Sequence, residues 1–198
     1  MYAIVKRFFD IISSITVLLV VSPFLLIISV LIILDSKGGV LYKQERIGKN
    51  LKPFYLLKFR SMKQESVKSS KITIGNDPRI TKIGTFIRKY KIDELPQLIN
   101  ILKGEMSVVG PRPEVKEYVD LYSEEQLKVL LVKPGLTDFA SIKYFREQDL
   151  LGNSDNPHQL YIEEIMPQKL ELNLKYISKM GFRTDVLVIF KTLAKILQ

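Results

Sequence analysis

The segment Lys91-Ile-Asp-Glu-Leu-Pro-Gln-Leu-Ile-Asn100 sets two adjacent carboxylates, Asp93 and Glu94, behind Arg88, Lys89 and Lys91 and just ahead of a proline. An ionised acid pair of this kind can hold Mg²⁺, which prefers carboxylate and phosphate oxygens. Further along, Gly110-Pro-Arg-Pro113 mounts Arg112 between two prolines. Restricted backbone on both sides holds a guanidinium fork suited to bidentate phosphate contact. Lys58 and Arg60 lie on a β-like run, and Arg88 precedes the acid pair. Together these cations describe an anion-binding site around Asp93 and Glu94. Taken singly, each also reads as a solvated surface charge, and spacing alone does not bring them together.

The helix that must carry the pair is legible. Leu95, Leu98, Ile99 and Leu102 recur at i, i+3, i+4 and i+7, Pro96 fits only a first turn, and Gly104 suits a C-terminal cap. Asp93 and Glu94 are then expected at a helix N-terminus, where free N–H groups and the positive dipole end favour negative charge. A capping Asp followed by a first-turn Glu is the purely structural reading of the same residues.

The 198 residues suit one domain of ordinary size. There are no cysteines, so disulfides, thiolate zinc sites and cysteine nucleophiles are excluded. The one histidine, His158, lies in Gly152-Asn-Ser-Asp-Asn-Pro-His158 and reads as part of a solvated loop. Thirty Lys and Arg against twenty-one Asp and Glu give a net charge of +9, which implies an anionic partner such as nucleic acid, anionic lipid or a phosphorylated substrate. No RNA-binding signature or zinc-finger spacing accompanies the charge, so no nucleic-acid partner is expected.

From Ile11 to Leu34 the chain runs 24 residues without a charge, enough for a helix to cross a bilayer core of about 30 Å. It lacks a small A-x-A cleavage site. Ser22-Pro23 interrupts its middle: the proline removes one helical N–H bond and presses on the Leu19 carbonyl, and the Ser22 hydroxyl is available to satisfy a freed group. A kinked spanning helix is one reading. Basic residues flank both ends, Lys6 and Arg7 before the run and Lys37, Lys43 and Arg46 after it, so both ends prefer the cytoplasmic face and a re-entrant hairpin is the other reading.

Downstream, Val40–Ile47 and Pro53–Phe59 read as a β-hairpin. Lys63 to Lys71 is polar and reads as a loop, and Ser123-Glu-Glu-Gln126 fits a capping box. Thr184 is the expected N-cap of a last amphipathic helix, whose apolar face either packs on the core or lies at a membrane interface.

In chain order, the apolar segment with Ser22-Pro23, Gln44-Glu-Arg-Ile-Gly48, Leu57-Lys-Phe-Arg-Ser-Met62, Asp77-Pro-Arg-Ile-Thr-Lys-Ile-Gly84, Asp93-Glu-Leu-Pro-Gln97, Leu102-Lys-Gly-Glu-Met-Ser107, Gly110-Pro-Arg-Pro113 and Lys133-Pro-Gly-Leu-Thr137 cover nearly the whole sequence. This series resembles the bacterial sugar transferases, specifically the small monotopic phosphoglycosyl transferases. The resemblance implies a helix-rich α+β fold with a re-entrant helix-break-helix anchor over residues 1–36 and a catalytic domain over 37–198 that includes a small β-hairpin and interfacial helices. It implies transfer of a sugar 1-phosphate from a UDP-sugar to polyprenyl (undecaprenyl) phosphate, with Mg²⁺ and release of UMP. Carried over by position, Asp93 is the nucleophile that forms an acyl-phosphate, Glu94 binds Mg²⁺, and Lys58, Arg88 and Arg112 hold phosphate oxygens. The implied location is the cytoplasmic face of a bacterial inner membrane.

Three departures mark this chain: Asp138-Phe-Ala-Ser-Ile142 where many members have Gly, an aromatic or apolar residue and Ala-Gln; Tyr90-Lys91-Ile92 before the acid pair; and Asn173 where an aspartate is common. The competing expectation is a membrane-tethered basic adaptor for anionic lipid or nucleic acid, which needs neither an acid pair nor a constrained arginine.

Overall fold

The computed structural model describes residues 2–63 and 77–198. The polar segment expected as a loop therefore falls, beyond Lys63, outside the described residues. The fold is helix-rich α+β. Helix α1 covers Tyr2–Asp35. Strands β1 (Leu41–Ile47) and β2 (Pro53–Phe59) pair antiparallel in the register Leu41 to Phe59 through Ile47 to Pro53, which is the expected hairpin. Helix α2 (Lys82–Lys89) is followed by a 3₁₀ turn at Ile92–Glu94 and by α3 (Gln97–Lys103). Strand β3 (Ser107–Val109) pairs in parallel with β4 (Gly135–Thr137), with α4 (Lys116–Val119) and α5 (Glu124–Leu127) between them. The remaining helices are α6 (Phe139–Lys143), α7 (Glu147–Gly152), α8 (Pro157–Leu160), α9 (Met166–Ser178) and α10 (Phe182–Ile196).

The apolar run forms the 34-residue α1, about 51 Å long at the usual rise and long and apolar enough to cross a membrane. In place of the expected helix-break-helix, α1 continues through Pro23 as one helix. The reason is local: Ser22 Oγ donates to the Leu19 carbonyl at 2.9 Å, the acceptor that Pro23 leaves without its N–H partner.

Both ends of α1 are tied to the rest of the protein. At its start Tyr2 Oη and Lys6 Nζ donate to buried Asp185 of α10 at 2.7 and 2.6 Å. Arg7 donates to the carbonyls of Ile101 and Leu102 at 2.6 and 3.0 Å, complementing the negative end of α3. Asp10 accepts from Ser107 Oγ (2.8 Å) and the Val108 N–H (3.0 Å). At its far end Asp35 accepts from the Ile83 N–H at 2.8 Å, and Arg60 donates to the carbonyls of Ile32 (3.1 Å) and Ser36 (2.6 Å). Leu25, Ile28 and Ile32 pack on Phe59 and Ile87, while Leu19, Val20, Leu26 and Ile27 are exposed.

Two further expectations change. Helix α10 starts at Phe182 rather than after Thr184, because Thr184 Oγ1 donates backward to the Lys179 carbonyl at 2.8 Å and caps nothing ahead of it. His158 sits in α8 rather than in a loop: Pro157 presets the first turn and Asn156 caps it by accepting from the Gln159 N–H. Its side chain remains exposed, as the polar surroundings imply. The capping box at Ser123 forms as its spacing predicts.

The β3–β4 pair matters most for position. Its ladder runs on past β3, so that the Gly110 N–H donates to the Thr137 carbonyl (3.1 Å), the Gly135 N–H to the Pro111 carbonyl (2.9 Å) and the Arg112 N–H to Asp138 Oδ2 (3.0 Å). Lys133-Pro-Gly-Leu-Thr137 is thus the template on which the Pro-Arg-Pro loop is laid. The backbones cross closely: a Cβ on Gly135 would lie 2.1 Å from the Gly110 nitrogen. Gly135→Ala is expected to destabilise the fold by about 3 kcal/mol and to lower activity, measured by denaturant unfolding in detergent beside a turnover assay. A variant as stable and active as the parent would remove the template argument.

Candidate active site

Four elements, β2, α2, the 3₁₀ turn at Ile92–Glu94 and the loop after β3, bring the predicted residues to a cleft of about 1520 Å³. On β2, side chains alternate, and Phe54 and Leu56 face Leu98 and Ile101 of α3. The two-residue period puts Lys58 on that same face. Asn100, fully buried in α3, holds β2 in place by accepting from the Leu57 N–H (3.0 Å) and donating to the Tyr55 carbonyl (2.8 Å), so an amide satisfies the sheet edge that a third strand would otherwise cover.

The acid pair does not start α3. Lys91 adopts a left-handed conformation (φ 56°), the chain turns, and Asp93 and Glu94 occupy a separate 3₁₀ turn; α3 begins afterward, with Pro96 as its N-cap. Neither carboxylate caps a helix. The capping reading fails because Pro96, with no N–H to offer, divides the turn from the helix. Lys91 Nζ lies 5.0 Å from the Phe145 ring centre, a cation–π contact that secures this strained residue.

Glu94 is buried and clasped. Arg112 donates with Nη1 to Oε2 at 2.9 Å and with Nη2 to Oε1, and Lys58 Nζ reaches Oε1 at 3.2 Å. Burial alone would raise the Glu94 pKa, but Arg112 and Lys58 outweigh it and hold the carboxyl well below its usual range. Arg112 is correspondingly raised, since Glu94 more than offsets its burial. Lys58 goes the other way: burial lowers its pKa, and Glu94 compensates only in part.

Asp93 lies beside this clasp with a different environment. It is 6% exposed, and its Oδ1 has no hydrogen-bond partner. Burial, reinforced by the neighbouring Glu94 charge, pushes its pKa above the usual carboxylate value, against the pull of Lys58, Arg88 and Lys91. The pair is therefore split into one carboxylate neutralised by a fork and one left basic and unpartnered, which is the more nucleophilic state once ionised. Arg88, on α2, borders the cleft and donates to Ser61 Oγ at 3.3 Å; burial lowers its pKa.

One residue that positions the candidate site was visible in the sequence only as a departure. Asp138 is fully buried, accepts the Arg112 N–H at 3.0 Å and caps α6 through the Ser141 N–H at 2.5 Å. It fastens the arginine loop to α6. An Asp ahead of Phe-Ala-Ser signalled a helix cap, but nothing in the spacing linked it to Arg112, 26 residues earlier. Glu114, next to the loop, is likewise held by Arg46 (2.7 Å) and Tyr161 Oη (2.6 Å). Asn173 is buried in α9 with an unpaired Oδ1.

A buried acid pair, a proline-framed arginine and a membrane-length helix border one cleft. The family model for bacterial sugar transferases matches residues 1–198. The chain belongs to the bacterial sugar transferase family. This sugar transferase is 39% identical to the exopolysaccharide production protein PSS of Rhizobium leguminosarum bv. phaseoli over 96% of this chain and 93% of that protein. It is 36% identical to a UDP-N-acetylgalactosamine-undecaprenyl-phosphate N-acetylgalactosaminephosphotransferase of Aeromonas hydrophila, covering 99% of this chain and 44% of that one. It is 38% identical to the UDP-glucose:undecaprenyl-phosphate glucose-1-phosphate transferase of Escherichia coli K12, covering 97% and 40%. The chain thus spans less than half the length of the latter two enzymes.

The split pair makes a stability prediction. A carboxyl whose folded pKa is raised binds its proton more tightly folded than unfolded, so stability falls as pH rises from the unfolded value near 3.8 through the raised one. Asp93→Asn is expected to be more stable than the parent at neutral pH, with the difference fading toward pH 3.8. Thermal unfolding across pH 4 to 8 measures it, and a less stable variant at pH 7 contradicts the split.

Proposed function

We propose that this sugar transferase moves a sugar 1-phosphate from a UDP-sugar to polyprenyl phosphate in two displacements at Asp93. The observation that carries the reading is the unpartnered, buried Asp93 Oδ1 beside a Glu94 already neutralised by Arg112 and Lys58. An Asp93 oxygen attacks the sugar-bearing phosphorus, and the bond from that phosphorus to the bridging oxygen breaks, releasing UMP with its electron pair. An oxygen of the acceptor phosphate then attacks the same phosphorus, and the Asp93 carboxylate leaves. Donor phosphate oxygens compete with Glu94 for the N–H groups of Arg112 and Lys58, which makes the cations both a resting clasp and a diphosphate site.

Among the described residues no cluster of three or more potential metal ligands occurs, yet adjacent carboxylate oxygens plus substrate phosphates fit the sparse protein ligation that Mg²⁺ accepts. Glu94 would hold the ion, with Asp93 beside it, and the ion would supply charge neutralisation on the diphosphate. The adaptor alternative has no use for an unpaired nucleophilic carboxylate.

The reading also places the protein. Residues 1–36 form an anchor that, without the expected break, has both ends of α1 on the cytoplasmic face of a bacterial inner membrane, where residues 37–198 form the catalytic domain. The support is that Lys6 and Asp35, near the two ends of a roughly 50 Å helix, bind the same folded body. A helix that crossed the bilayer would carry one end away from that body. Phe190, Leu193 and Leu197 of the C-terminal segment are exposed and suit an interfacial helix.

Incubation with UDP-sugars, including UDP-glucose and UDP-N-acetylgalactosamine, and no acceptor should release about one UMP per enzyme, with a matching phosphosugar mass on Asp93. Asp93→Asn should release none. Release that requires acceptor in every case, without a protein adduct, would falsify the two-step reading. For topology, Ala3→Cys and Lys52→Cys variants of this cysteine-free chain should both resist an impermeant thiol reagent in intact cells. Outside labelling at residue 3 with protection at residue 52 would establish a spanning helix instead.

A further inference from the structure

The polar lining of the cleft has two parts of different charge. In one, Lys58 and Arg112 converge on Glu94. The other is a chain of paired side chains running from β1 to α9. Gln44 Oε1 accepts from Arg46 Nη2 at 2.8 Å, Arg46 Nη1 donates to Glu114 Oε1 at 2.7 Å, and Tyr161 Oη donates to Glu114 Oε2 at 2.6 Å. Lys169 Nζ lies 5.2 Å from the Tyr161 ring centre and donates to Glu147 Oε2 at 2.8 Å. All six residues border the cleft. Gln44 pairs with Leu56 across the hairpin, which sets it diagonal to Lys58 on one sheet face. At the far end Glu147 acts on Arg112: burial lowers the Arg112 pKa, and Glu94, Asp138 and Glu147 more than offset it. The chain therefore starts beside one cation that holds Glu94 and ends near the other.

Charge cancels along this chain. Burial would raise the Glu114 pKa, but Arg46, Lys169 and Tyr161 outweigh it, and Glu147 is paired with Lys169. A phosphate gains little from a neutral stretch that carries two carboxylates. Hydrogen-bonding capacity is nevertheless left over. Because a guanidinium only donates, Arg46 turns the Gln44 amide oxygen toward itself and leaves the NH₂ group without a partner among the described residues. Glu147 Oε1 is likewise unpaired among the described residues, and Lys169 Nζ has N–H groups beyond the one given to Oε2. Donors and an acceptor on one stretch of lining suit hydroxyl groups, which both give and accept. The tyrosines do not offer a platform for a base, since Tyr118 and Tyr161 are buried and pack on each other with ring centres 4.9 Å apart. Tyr161 also opens a π-helical turn, Tyr161–Ile165, an irregularity common at ligand sites.

We infer that Gln44, Lys169 and Glu147 form the subsite for the donor sugar and select a neutral, hydroxyl-rich pyranose, with Arg46, Glu114 and Tyr161 holding them in place. This rests on the transferase reading, in which the diphosphate engages Lys58 and Arg112 and the sugar extends from it. The two carboxylates of the chain disfavour a uronic acid, whose own carboxylate would meet them.

The test uses the full chain in nanodiscs and donors that share UDP but differ in the sugar: UDP-glucose, UDP-N-acetylgalactosamine and UDP-glucuronate, with UMP as the ligand that lacks a sugar. Titration calorimetry reads their affinities without turnover, and ratios among the UDP-sugars cancel any effect on the shared diphosphate. The parent should bind at least one neutral UDP-sugar more tightly than UDP-glucuronate. Gln44→Ala should weaken the preferred UDP-sugar about tenfold, the loss of one good hydrogen bond, while UMP affinity and the KM for polyprenyl phosphate stay unchanged. Glu147→Gln, which keeps the side-chain shape, should narrow the preference among neutral sugars. Equal weakening of UMP by Gln44→Ala would make this a nucleoside site and overturn the proposal. Tightest binding of UDP-glucuronate by the parent, or an unchanged ranking of sugars in both variants, would overturn it as well. A parent protein that ranks the sugars through Gln44 yet releases no UMP from any donor, with or without acceptor, would refute the transferase reading and leave the sugar subsite standing.

Discussion

The fork between Arg112 and Glu94 is the interaction on which the rest of the site depends. It joins two segments that the chain brings together from 18 residues apart, the 3₁₀ turn at Ile92–Glu94 and the loop after β3. Each side is braced independently. Arg112 is fixed by prolines on both sides and by its N–H bond to buried Asp138, and Glu94 by a turn that opens on left-handed Lys91. Because the fork and Lys58 are engaged by Glu94, burial and the Glu94 charge act on Asp93 with no hydrogen bond at its Oδ1 to offset them. The same contact therefore sets the protonation behaviour of both carboxylates.

Bracing of this kind explains why short motifs far apart in the chain occur together. Gly135 permits the close backbone crossing that lets Gly110, Pro111 and Arg112 bond to residues 135–138 in succession. Asn100 substitutes for a missing strand at the β2 edge and so keeps Lys58 at the face of Glu94. These residues touch no reacting atom in the proposed chemistry. They supply the rigidity that a site built from turns and loops otherwise lacks.

Helix α1 is integrated in the same way. Its buried polar side chains, Asp10 and Ser14, face the folded body, and Asp10 is satisfied by Ser107 and the Val108 N–H, while much of its apolar surface is left uncovered. Burial is thus inverted relative to an ordinary core helix: the polar stripe seeks protein and the apolar majority seeks lipid. That inversion leaves an uncovered hydrocarbon surface on the same helix whose Phe9, Ser13 and Val17 line the cleft.

The sequence by itself determined the elements and the chemical inventory. Alternation and turn residues set the β1–β2 hairpin, Gly104 marked the end of α3 although Ile99 of its expected apolar stripe is exposed and Ile101 is buried instead, the capping box at Ser123 formed as spaced, and the acid pair with Lys58, Arg60, Arg88 and Arg112 was singled out by residue type. These are local properties, decided within a few residues by sterics and hydrogen bonding. The tertiary structure decided the rest: that Asp93 and Glu94 stand ahead of α3 rather than capping it, that the cations divide between Glu94 and Ser61, that a departure at Asp138 anchors Arg112, and that α1 runs unbroken through Pro23 with both ends bound to one body. Each of these turns on which distant group occupies a given hydrogen-bonding position. Such choices depend on packing among segments tens of residues apart, and no period or spacing in one chain encodes them.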